Sequence, residues 1–232
     1  MISLLQEHTP FPPVDGAMRQ PNGLLAIGGD LSPARLLDAY RHGIFPWFND
    51  NEPILWWSPD PRMVLFPHEF IVSHSLRRTL NKKVYEVRID HAFEQVMRAC
   101  AAPRKNANGT WINENMIIAY CELHRMGYAH SVEVLMEGEL VGGLYGASIG
   151  KMFYGESMFS RRSNASKIAL AFLAAQLERW GFGMIDCQMN TPHLASLGAR
   201  EISRAEFQQS LTVLVNSPLP PSPWTFDSDL VA

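Results

Sequence analysis

The chain has 232 residues, of which 47% are apolar and 19% are charged, and its formal net charge is −3 at pH 7. This length and composition predict a sizeable packed core in one large domain, or in one domain with a small companion. The negative net charge excludes a uniformly basic surface, so any contact with nucleic acid has to come from a local patch of cations.

The cysteines, the N-terminus and the hydropathy together predict a soluble cytoplasmic protein. Cys100, Cys121 and Cys187 are an odd number without a pairing pattern, which is typical of thiols in a reducing compartment. Residues 1–13 carry Gln, Glu, His and three prolines, unlike a signal peptide. The longest apolar stretch, residues 168–175, is too short to span a bilayer.

Residues 1–65 are rich in Pro, Gly, Asn and Trp and predict a small N-terminal lobe packed by its aromatic side chains. Ser32 and Pro33 are favoured at a helix N-cap and at the first helical position, so a helix is expected from there to Gly43. Of the three tryptophans that follow, at least two are expected in the core, and Trp47 is the best candidate for a stacking platform.

From residue 66 onward, periodic apolar positions bounded by turn and cap residues predict alternating strands and helices. Strands are expected at residues 84–89, 131–136, 140–149, 152–158 and 184–188, after a short one within 22–30. Helices are expected at 73–81, from Asp90 to 101, from Asn113 to 127, from a cap at Ser163 or Asn164 to 180, from Thr191 to 198, and from Ser203, with a surface tail from 218. The order β-α-α-β-β-β-α-β-α from residue 84 predicts a mixed sheet, and hence an α/β (α+β) fold with a catalytic domain over 66–232.

Polar side chains lie at the ends of two of these predicted strands, in otherwise apolar surroundings. The run GESMFS at residues 155–160 follows one apolar segment, and IDCQ at 185–188 ends another. This arrangement predicts an active site in which Glu156 and Asp186 act as paired carboxylates. The alternative is that one of them is a structural acid, bonded to backbone or to Arg161.

Gln188 follows Asp186 by two residues, so on a regular strand both side chains share one face. A glutamine is too weak a base to remove a proton alone, but when polarised by a carboxylate it can orient an amine and accept its hydrogen bond. The apolar residues expected near this site either line a pocket or are ordinary core: Met158, Ile185, Leu170, Leu173 and Leu177.

Several reaction classes lack their motifs in this chain. There is no G-x-S-x-G nucleophile elbow, no H-E-x-x-H zinc motif, and no G-x-G-x-x-G or P-loop for a cofactor. Where an acyl-CoA enzyme would offer a glycine-rich pyrophosphate loop, residues 161–166 read RRSNAS, which argues against CoA. The cations there and the helix N-terminus still offer a site for an anion.

The segment 74–88 is the most basic part of an acidic chain. A solvated helix face and a patch that binds phosphates are equally favoured explanations on charge alone. Its cations, with two more further along the chain, are Arg77, Arg78, Lys82, Lys83, Arg88, Arg104 and Lys105.

Short motifs follow one another along residues 20–200. The N-terminal motifs are PNGLL at 21–25, GGDL at 28–31, YRHGIFPW at 40–47 and WWSPDPR at 56–62. The later ones are GTWI at 109–112, GESMFS at 155–160, DCQ at 186–188 and HLASLGA at 193–199. Together they resemble the motifs of bacterial leucyl/phenylalanyl-tRNA–protein transferases. The segment 131–188 is also similar to the core of acyl-CoA N-acyltransferase folds, so a GNAT-type mixed-sheet domain is expected after the small N-terminal lobe.

The resemblance implies an aminoacyltransferase that moves Leu or Phe, and less readily Met, from aminoacyl-tRNA to the N-terminal Arg or Lys of a protein. The product is marked for degradation by its new N-terminus. The implied partners are Leu-tRNA, Phe-tRNA and acceptor proteins, with no membrane, and the chain is expected to be a monomer. No CoA, nucleotide, metal or other cofactor is implied, because the aminoacyl ester is already activated. An acyl-CoA-dependent N-acyltransferase and a non-catalytic adaptor for tRNA or basic N-termini are the alternatives.

The resemblance also implies roles for the residues at the strand ends. Gln188, held by Asp186, orients the attacking α-amine, and Glu156 lies close by or attracts the cationic acceptor. The side chain of the transferred amino acid is surrounded by Leu144, Met158, Leu173, Leu177 and Ile185.

Two further groups of residues are implied to contact the tRNA. Trp47 and Trp111 sandwich the terminal adenosine, assisted by Tyr40. The body of the tRNA is contacted by Arg77, Arg78, Lys82 and Lys83.

Overall fold

The computed structural model describes residues 2–103 and 111–231, which form two β-sheets with helices packed on them. The strands are β1 (Ser3–Leu5), β2 (Leu24–Gly28), β3 (Phe45–Pro46), β4 (Leu55–Trp57), β5 (Arg62–Leu65), β6 (Glu86–Ile89), β7 (Ala129–Met136), β8 (Glu139–Ile149), β9 (Met152–Ser160), β10 (Met184–Gln188) and β11 (Arg200–Ile202). The helices are α1 (Pro33–Arg41), α2 (His74–Leu80), α3 (Phe93–Ala101), α4 (Glu114–Arg125), α5 (Ala165–Arg179), α6 (Pro192–Ala195), α7 (Arg204–Leu214) and α8 (Ser228–Val231). In these two described ranges, no helix has the length and apolar character needed to cross a bilayer.

The larger sheet has the order β11-β5-β10-β9-β8-β7-β6. Strands β9 and β10 run parallel, whereas the other neighbouring pairs in this sheet are antiparallel. A parallel pair needs a crossover connection, and α5 provides it between β9 and β10. The predicted mixed α/β fold is therefore confirmed, including the antiparallel meander β7-β8-β9, the long helix and the returning strand.

The smaller sheet, β1-β2-β4-β3, belongs with α1 to the N-terminal part of the chain. The aromatic side chains of this N-terminal part share a core with the larger sheet. Tyr40 of α1 and Trp56 of β4 are buried in the same cluster as Tyr145 and Tyr154. The Tyr154 hydroxyl donates to the Tyr40 carbonyl at 2.8 Å, which joins α1 to β9. The lobe boundary at residue 65 stays a prediction; β5, which ends there, pairs within the larger sheet.

Both faces of the larger sheet are covered by apolar clusters. Leu144 and Tyr145 are adjacent on β8 but belong to different clusters, as the alternation of side chains along a strand requires. The cluster of Leu144 contains the apolar side of α5, and the cluster of Tyr145 contains side chains of α3, α4 and the N-terminal part. Gly142 allows α5 to start close to β8, since a Cβ there would lie 2.4 Å from the Cβ of Ala165.

Five predicted helix starts are confirmed, because each depends on a local hydrogen bond. The side chains that accept from the backbone N–H three residues along are those of Ser32, Ser73, Asn113, Thr191 and Ser203. Each bond satisfies one of the N–H groups that the first turn of a helix leaves without a partner.

The cap predicted at Asp90 is wrong. Asp90 has a left-handed backbone with φ 60° and accepts from the Ser131 N–H, and α3 begins only at Phe93. The buried side chain of Glu133 on β7 accepts the two N–H groups just before α3 instead, at 3.3 and 3.4 Å. Glu133, which is distant in sequence, therefore has the capping role that was predicted for Asp90.

Helix α5 begins where expected, with Asn164 at its N-cap position, but the Asn164 side chain makes no capping hydrogen bond. Asn164 is left-handed, with φ 66°, and its side-chain amide donates to Thr79 of α2 at 3.0 Å. The Ser160 hydroxyl at the end of β9 accepts from the Ser166 N–H at 3.2 Å. The bond between Asn164 and Thr79 places α2 beside the start of α5.

Candidate active site

The parallel pairing of β9 with β10 ends at Tyr154 and Asp186. Immediately beyond this point both strands carry a β-bulge. Glu156 is the extra residue of β9 against β8, and Cys187 is the extra residue of β10 against β5. A bulge interrupts the ladder and redirects neighbouring side chains, so bulges are frequent beside active sites. The two polar strand ends that the sequence singled out are therefore neighbours.

A cavity of about 620 Å³, a volume usual for ligand sites, lies at these strand ends. Its apolar part is lined by residues of the cluster under α5, namely Leu144, Phe153, Met158, Leu170, Leu173 and Ile185. Its aromatic part is lined by Phe45, Trp47, Trp111 and Phe159. Glu156 and Gln188 also line the cavity, so polar groups face a largely apolar space.

Most of the residues predicted for the apolar pocket line this cavity: Leu144, Met158, Leu173 and Ile185. Leu177 does not, because it is fully buried in the core under α5. Leu170, one turn before Leu173, takes that place, since α5 runs past the cavity and its later turns pack against the sheet. Phe153 also lines the cavity, but a Phe inside an apolar strand gave no separate signal in the sequence.

The tryptophans differ in exposure as the sequence indicated. Trp47 is 39% exposed and lines the aromatic part of the cavity together with the half-buried Trp111. Trp57 contacts the Trp47 ring edge-on at a centroid distance of 5.6 Å and donates its indole N–H to the Trp47 carbonyl at 2.7 Å. Trp56 is fully buried. Trp47 is therefore the one of the three that offers a ring to a ligand.

Tyr40 has a different position from the one expected. It is fully buried and is not part of the cavity lining, so its ring offers no face to a base. Its hydroxyl donates to Glu156 Oε1 at 2.7 Å and also contacts the Tyr120 hydroxyl. Tyr120 of α4 donates to Glu156 Oε2 at 3.3 Å. Two phenols from two helices hold the carboxylate.

Glu156 has unusual proton affinity for a carboxyl group. Burial raises its pKa to about 7, the hydrogen bonds from Tyr40 and Tyr120 oppose that shift, and the charge of Asp186 adds to it. Burial also raises the pKa of both tyrosines well above its usual value, which keeps them as donors. At neutral pH, Glu156 is divided between its protonated and ionised forms, as suits a group that exchanges a proton or attracts a cation.

Asp186 has the contacts of a structural acid, which was the alternative to the paired carboxylates, and its part in the reaction stays a prediction. It is fully buried and does not line the cavity. Arg62 binds both of its oxygens, with Nε 2.8 Å from Oδ1 and Nη2 2.6 Å from Oδ2. The expected partner, Arg161, instead donates to the Leu140 carbonyl.

Gln188 lines the cavity, but the bulge at Cys187 breaks the alternation that would put it on one face with Asp186. Its backbone is left-handed, with φ 58°, and its N–H donates to Asp186 Oδ1 at 2.9 Å. With the amide in the orientation that satisfies both of its polar atoms, the side-chain nitrogen donates to the carbonyls of Gly155 and Cys187 at 2.9 and 3.1 Å. The amide oxygen is then the acceptor that remains for a ligand.

The predicted basic cluster lies at the surface, on α2 and just after it. Arg77 and Arg78 on α2 and Lys82 and Lys83 in the turn after it are exposed. Helix α2 packs on the start of α5, where Ser166 lines the cavity. Of the other cations of the basic region, Arg88 pairs with Glu86 at 2.7 Å. Arg104, Lys105 and the motif residues 109–110 lie outside the described residues.

These features define the class of the protein: an α/β protein with a cavity at the carboxyl ends of a parallel strand pair, lined by both apolar and aromatic side chains. Comparison with known sequences identifies the family. The profile described as leucyl/phenylalanyl-tRNA protein transferase matches residues 64–212, and that of the N-terminal domain of the same family matches residues 29–60. The chain belongs to the leucyl/phenylalanyl-tRNA–protein transferase family and is an aminoacyltransferase.

Curated relatives extend the match to the whole chain. A leucyl/phenylalanyl-tRNA–protein transferase of Nitrosospira multiformis is 64% identical over 231 residues, which cover 100% of each chain. One of Thiobacillus denitrificans is 66% identical over 218 residues, 94% of this chain and 96% of the relative. Among solved structures, a GCN5-related N-acetyltransferase from Kribbella flavida has a TM-score of 0.38 at 13% identity, covering 74% of this chain and 61% of that one.

Proposed function

We propose that this protein transfers Leu or Phe, and less readily Met, from aminoacyl-tRNA to the N-terminal Arg or Lys of acceptor proteins. The product carries an N-terminus that marks it for degradation, and the reaction takes place in the cytoplasm on a monomeric enzyme. The observation that carries the proposal is the cavity at the strand ends, which is lined by apolar side chains, by Trp47 and Trp111, and by the polar groups of Glu156 and Gln188.

The cavity matches the two ends of an aminoacyl-adenosine. The Leu or Phe side chain enters the apolar part between Leu144, Met158 and Leu173. The terminal adenine stacks on Trp47 and Trp111, and stacking on an aromatic side chain contributes about 1–3 kcal/mol per base. The ester between them then lies near Gln188.

The reaction exchanges an ester for an amide. The α-amine nitrogen of the acceptor attacks the ester carbonyl carbon, the new C–N bond forms, and the C–O bond to the ribose oxygen breaks. The amine loses one proton, and the departing ribose hydroxyl gains one. The amide oxygen of Gln188 accepts a hydrogen bond from the amine and orients it, since its nitrogen is occupied by two backbone carbonyls.

Glu156 recognises the acceptor. Its ionised form presents a negative charge in the cavity, where a guanidinium or ammonium group of an N-terminal Arg or Lys is attracted more strongly than in water. Tyr40 and Tyr120 fix the direction of this carboxylate. An acceptor that begins with Ala lacks the cation and loses this interaction.

The basic cluster of Arg77, Arg78, Lys82 and Lys83 contacts the phosphates of the tRNA body. Its support is position: the four exposed cations lie on α2 and in the turn after it, and α2 packs on the start of α5, whose Ser166 lines the cavity. Such contacts are electrostatic and independent of base sequence.

The decisive experiment is transfer of labelled Leu or Phe from charged tRNA to a protein that begins with Arg, beside the same protein beginning with Ala. Label on the Arg protein alone is the expected result. A folded enzyme that binds tRNA without transferring label would support a non-catalytic adaptor instead. Transfer that requires acetyl-CoA and no tRNA would establish the acyl-CoA alternative and contradict the proposal.

A further inference from the structure

Arg62 ends the WWSPDPR motif, and the proposed reaction gives it no role. It is 1% exposed and does not line the cavity. Burying a guanidinium so fully is costly unless every contact is satisfied, so its surroundings indicate what it holds in place.

The guanidinium of Arg62 is fixed in three directions. Its Nε and Nη2 bind the two oxygens of Asp186, and its Nη1 donates to the Gly43 carbonyl at 3.0 Å. The rings of Phe45 and Phe207 lie 4.8 and 4.6 Å from its central carbon. A planar group with two parallel hydrogen bonds and aromatic neighbours has little freedom to turn, and lysine cannot reproduce this geometry.

Asp186 connects Arg62 to Gln188, which lines the cavity. Its Oδ1 accepts both from Arg62 Nε at 2.8 Å and from the backbone N–H of Gln188 at 2.9 Å. Gln188 has a left-handed backbone, which is costly for a residue with a side chain and persists only where neighbouring contacts hold it. The bond to Asp186 is such a contact, and it lies at the bulge that directs Gln188 into the cavity.

We propose that Arg62 is a positioning residue for the transfer reaction, because it fixes Asp186 and thereby the left-handed turn from which Gln188 faces the substrate. Asp186 acts as the link and touches no substrate. This inference rests on the proposed role of Gln188 in orienting the amine. It makes Arg62 important for the rate of the reaction although its side chain is buried away from the cavity.

The test is a double-mutant cycle between Arg62→Lys and Gln188→Ala. Arg62→Lys is expected to lower kcat about 10- to 100-fold, since small misplacements of an orienting group have effects of this size. The Kd for aminoacyl-tRNA is expected to change by less than about 3-fold, because the tryptophans and the basic cluster are untouched. In the Gln188→Ala background, Arg62→Lys is expected to cause little further loss.

Hydrogen exchange at the Gln188 amide gives a readout that does not depend on activity. Arg62→Lys is expected to speed exchange at this N–H, while the N–H of Ile185 on the same strand keeps its protection. Arg35→Lys is the matched control: Arg35 is also buried and donates to the carbonyls of Gln6, Glu7 and Thr9, far from the cavity lining. It is expected to lower thermal stability without changing kcat or exchange at Gln188.

Each outcome decides the inference. A folded Arg62→Lys enzyme with wild-type kcat, or losses that multiply fully in the double mutant, would overturn it. If Arg62→Lys fails to fold, Phe207→Leu removes one ring contact of Arg62 and enters the same cycle, with the same two outcomes against it. Absence of transfer by the wild-type protein would instead refute the proposed function, so the two failures are distinguishable.

Discussion

At the scale of single residues, the site depends on how strongly the fold changes the chemistry of Glu156. Two phenol donors stabilise its ionised form, yet burial outweighs them and raises its pKa to about 7. Raising the pKa of Glu156 on folding lowers the free energy of unfolding above about pH 4.5, because the same carboxyl ionises more easily in the unfolded chain. This cost is measurable.

We expect Glu156→Gln to flatten the pH dependence of stability. A carboxyl whose pKa is raised on folding contributes stability that is present below its ordinary pKa and is lost as the pH rises through the folded value, here from about 4.5 to about 7. Between pH 5 and pH 8 the wild type should therefore lose on the order of 2 kcal/mol relative to the variant, measured by urea unfolding at both values.

Comparing how the free energy of unfolding changes with pH in the wild type and in Glu156→Gln isolates the titration of Glu156. The hydrogen bonds that the substitution changes do not themselves depend on pH in this range. Glu178→Gln, at an exposed position of α5, is the control and should leave the pH dependence as in the wild type. Parallel curves for the wild type and Glu156→Gln would show that Glu156 titrates normally.

At the scale of elements, helix α5 divides its apolar side between the cavity and the core. Leu170 and Leu173 line the cavity, whereas Leu177, one turn later, is core. Helix α2 likewise has one buried position, Leu76, while its cations Arg77 and Arg78 are exposed. Helix α5 thus has apolar positions in the core and at the cavity, and α2 has one buried position beside exposed cations.

Leu173→Ala and Leu177→Ala are expected to differ in substrate preference. Both remove a buried Leu and should cost about 2–5 kcal/mol of unfolding free energy. Leu173→Ala also enlarges the apolar part of the cavity, so the ratio of kcat/KM for Phe-tRNA to that for Leu-tRNA should rise several-fold. Leu177→Ala should leave that ratio unchanged, and an equal shift in both variants would mean that Leu177 contacts the substrate.

Alanine at Arg77, Arg78, Lys82 and Lys83 together is expected to weaken tRNA binding and its salt dependence. Each lost phosphate contact should reduce the slope of log Kd against log salt by about 0.7–0.9. A salt titration of tRNA binding measures this slope. The control is a double change at exposed cations elsewhere, Arg19→Ala and Arg125→Ala. Unchanged affinity and slope in the quadruple variant would exclude the cluster from the tRNA interface.

At the scale of the whole molecule, distant parts of the chain close around the two sheets. The tail that was expected to lie on the surface is anchored by Trp224, which is buried and stacks on His130 with centroids 3.5 Å apart. Arg179 at the end of α5 pairs with Asp227 and Asp229 of the same tail. The C-terminal segment therefore packs against side chains of β7 and β9 and against the end of α5.

Trp224→Ala is expected to lower the free energy of unfolding by about 3–5 kcal/mol, because it removes a large buried ring from contacts with His130, Trp180 and Phe182. Thermal or urea unfolding measures the loss. Leu219→Ala, at an exposed position of the same tail, should stay within about 0.5 kcal/mol of the wild type. Similar small effects at both positions would mean that the tail does not support the fold.

The sequence by itself determined the features that depend on neighbours along the chain. The helix starts at Ser32, Ser73 and Asn113 are visible because their hydrogen bonds span three residues. The mixed order of strands and helices followed from apolar periodicity, and the two polar strand ends were found where apolar runs stop. Family motifs supplied the class of reaction, since they preserve chemistry that spacing alone does not define.

Only the tertiary structure decided which groups meet across the fold. Arg62 and Asp186 are 124 residues apart in sequence, and nothing local in the chain pairs them. The bulges at Glu156 and Cys187 arise from pairing with β8 and β5, so the expected strand alternation could not reveal them. Burial of Tyr40 beside Glu156 has the same origin. Local hydrogen bonds are encoded by spacing, whereas the partner of a buried charge is fixed only when distant strands come together.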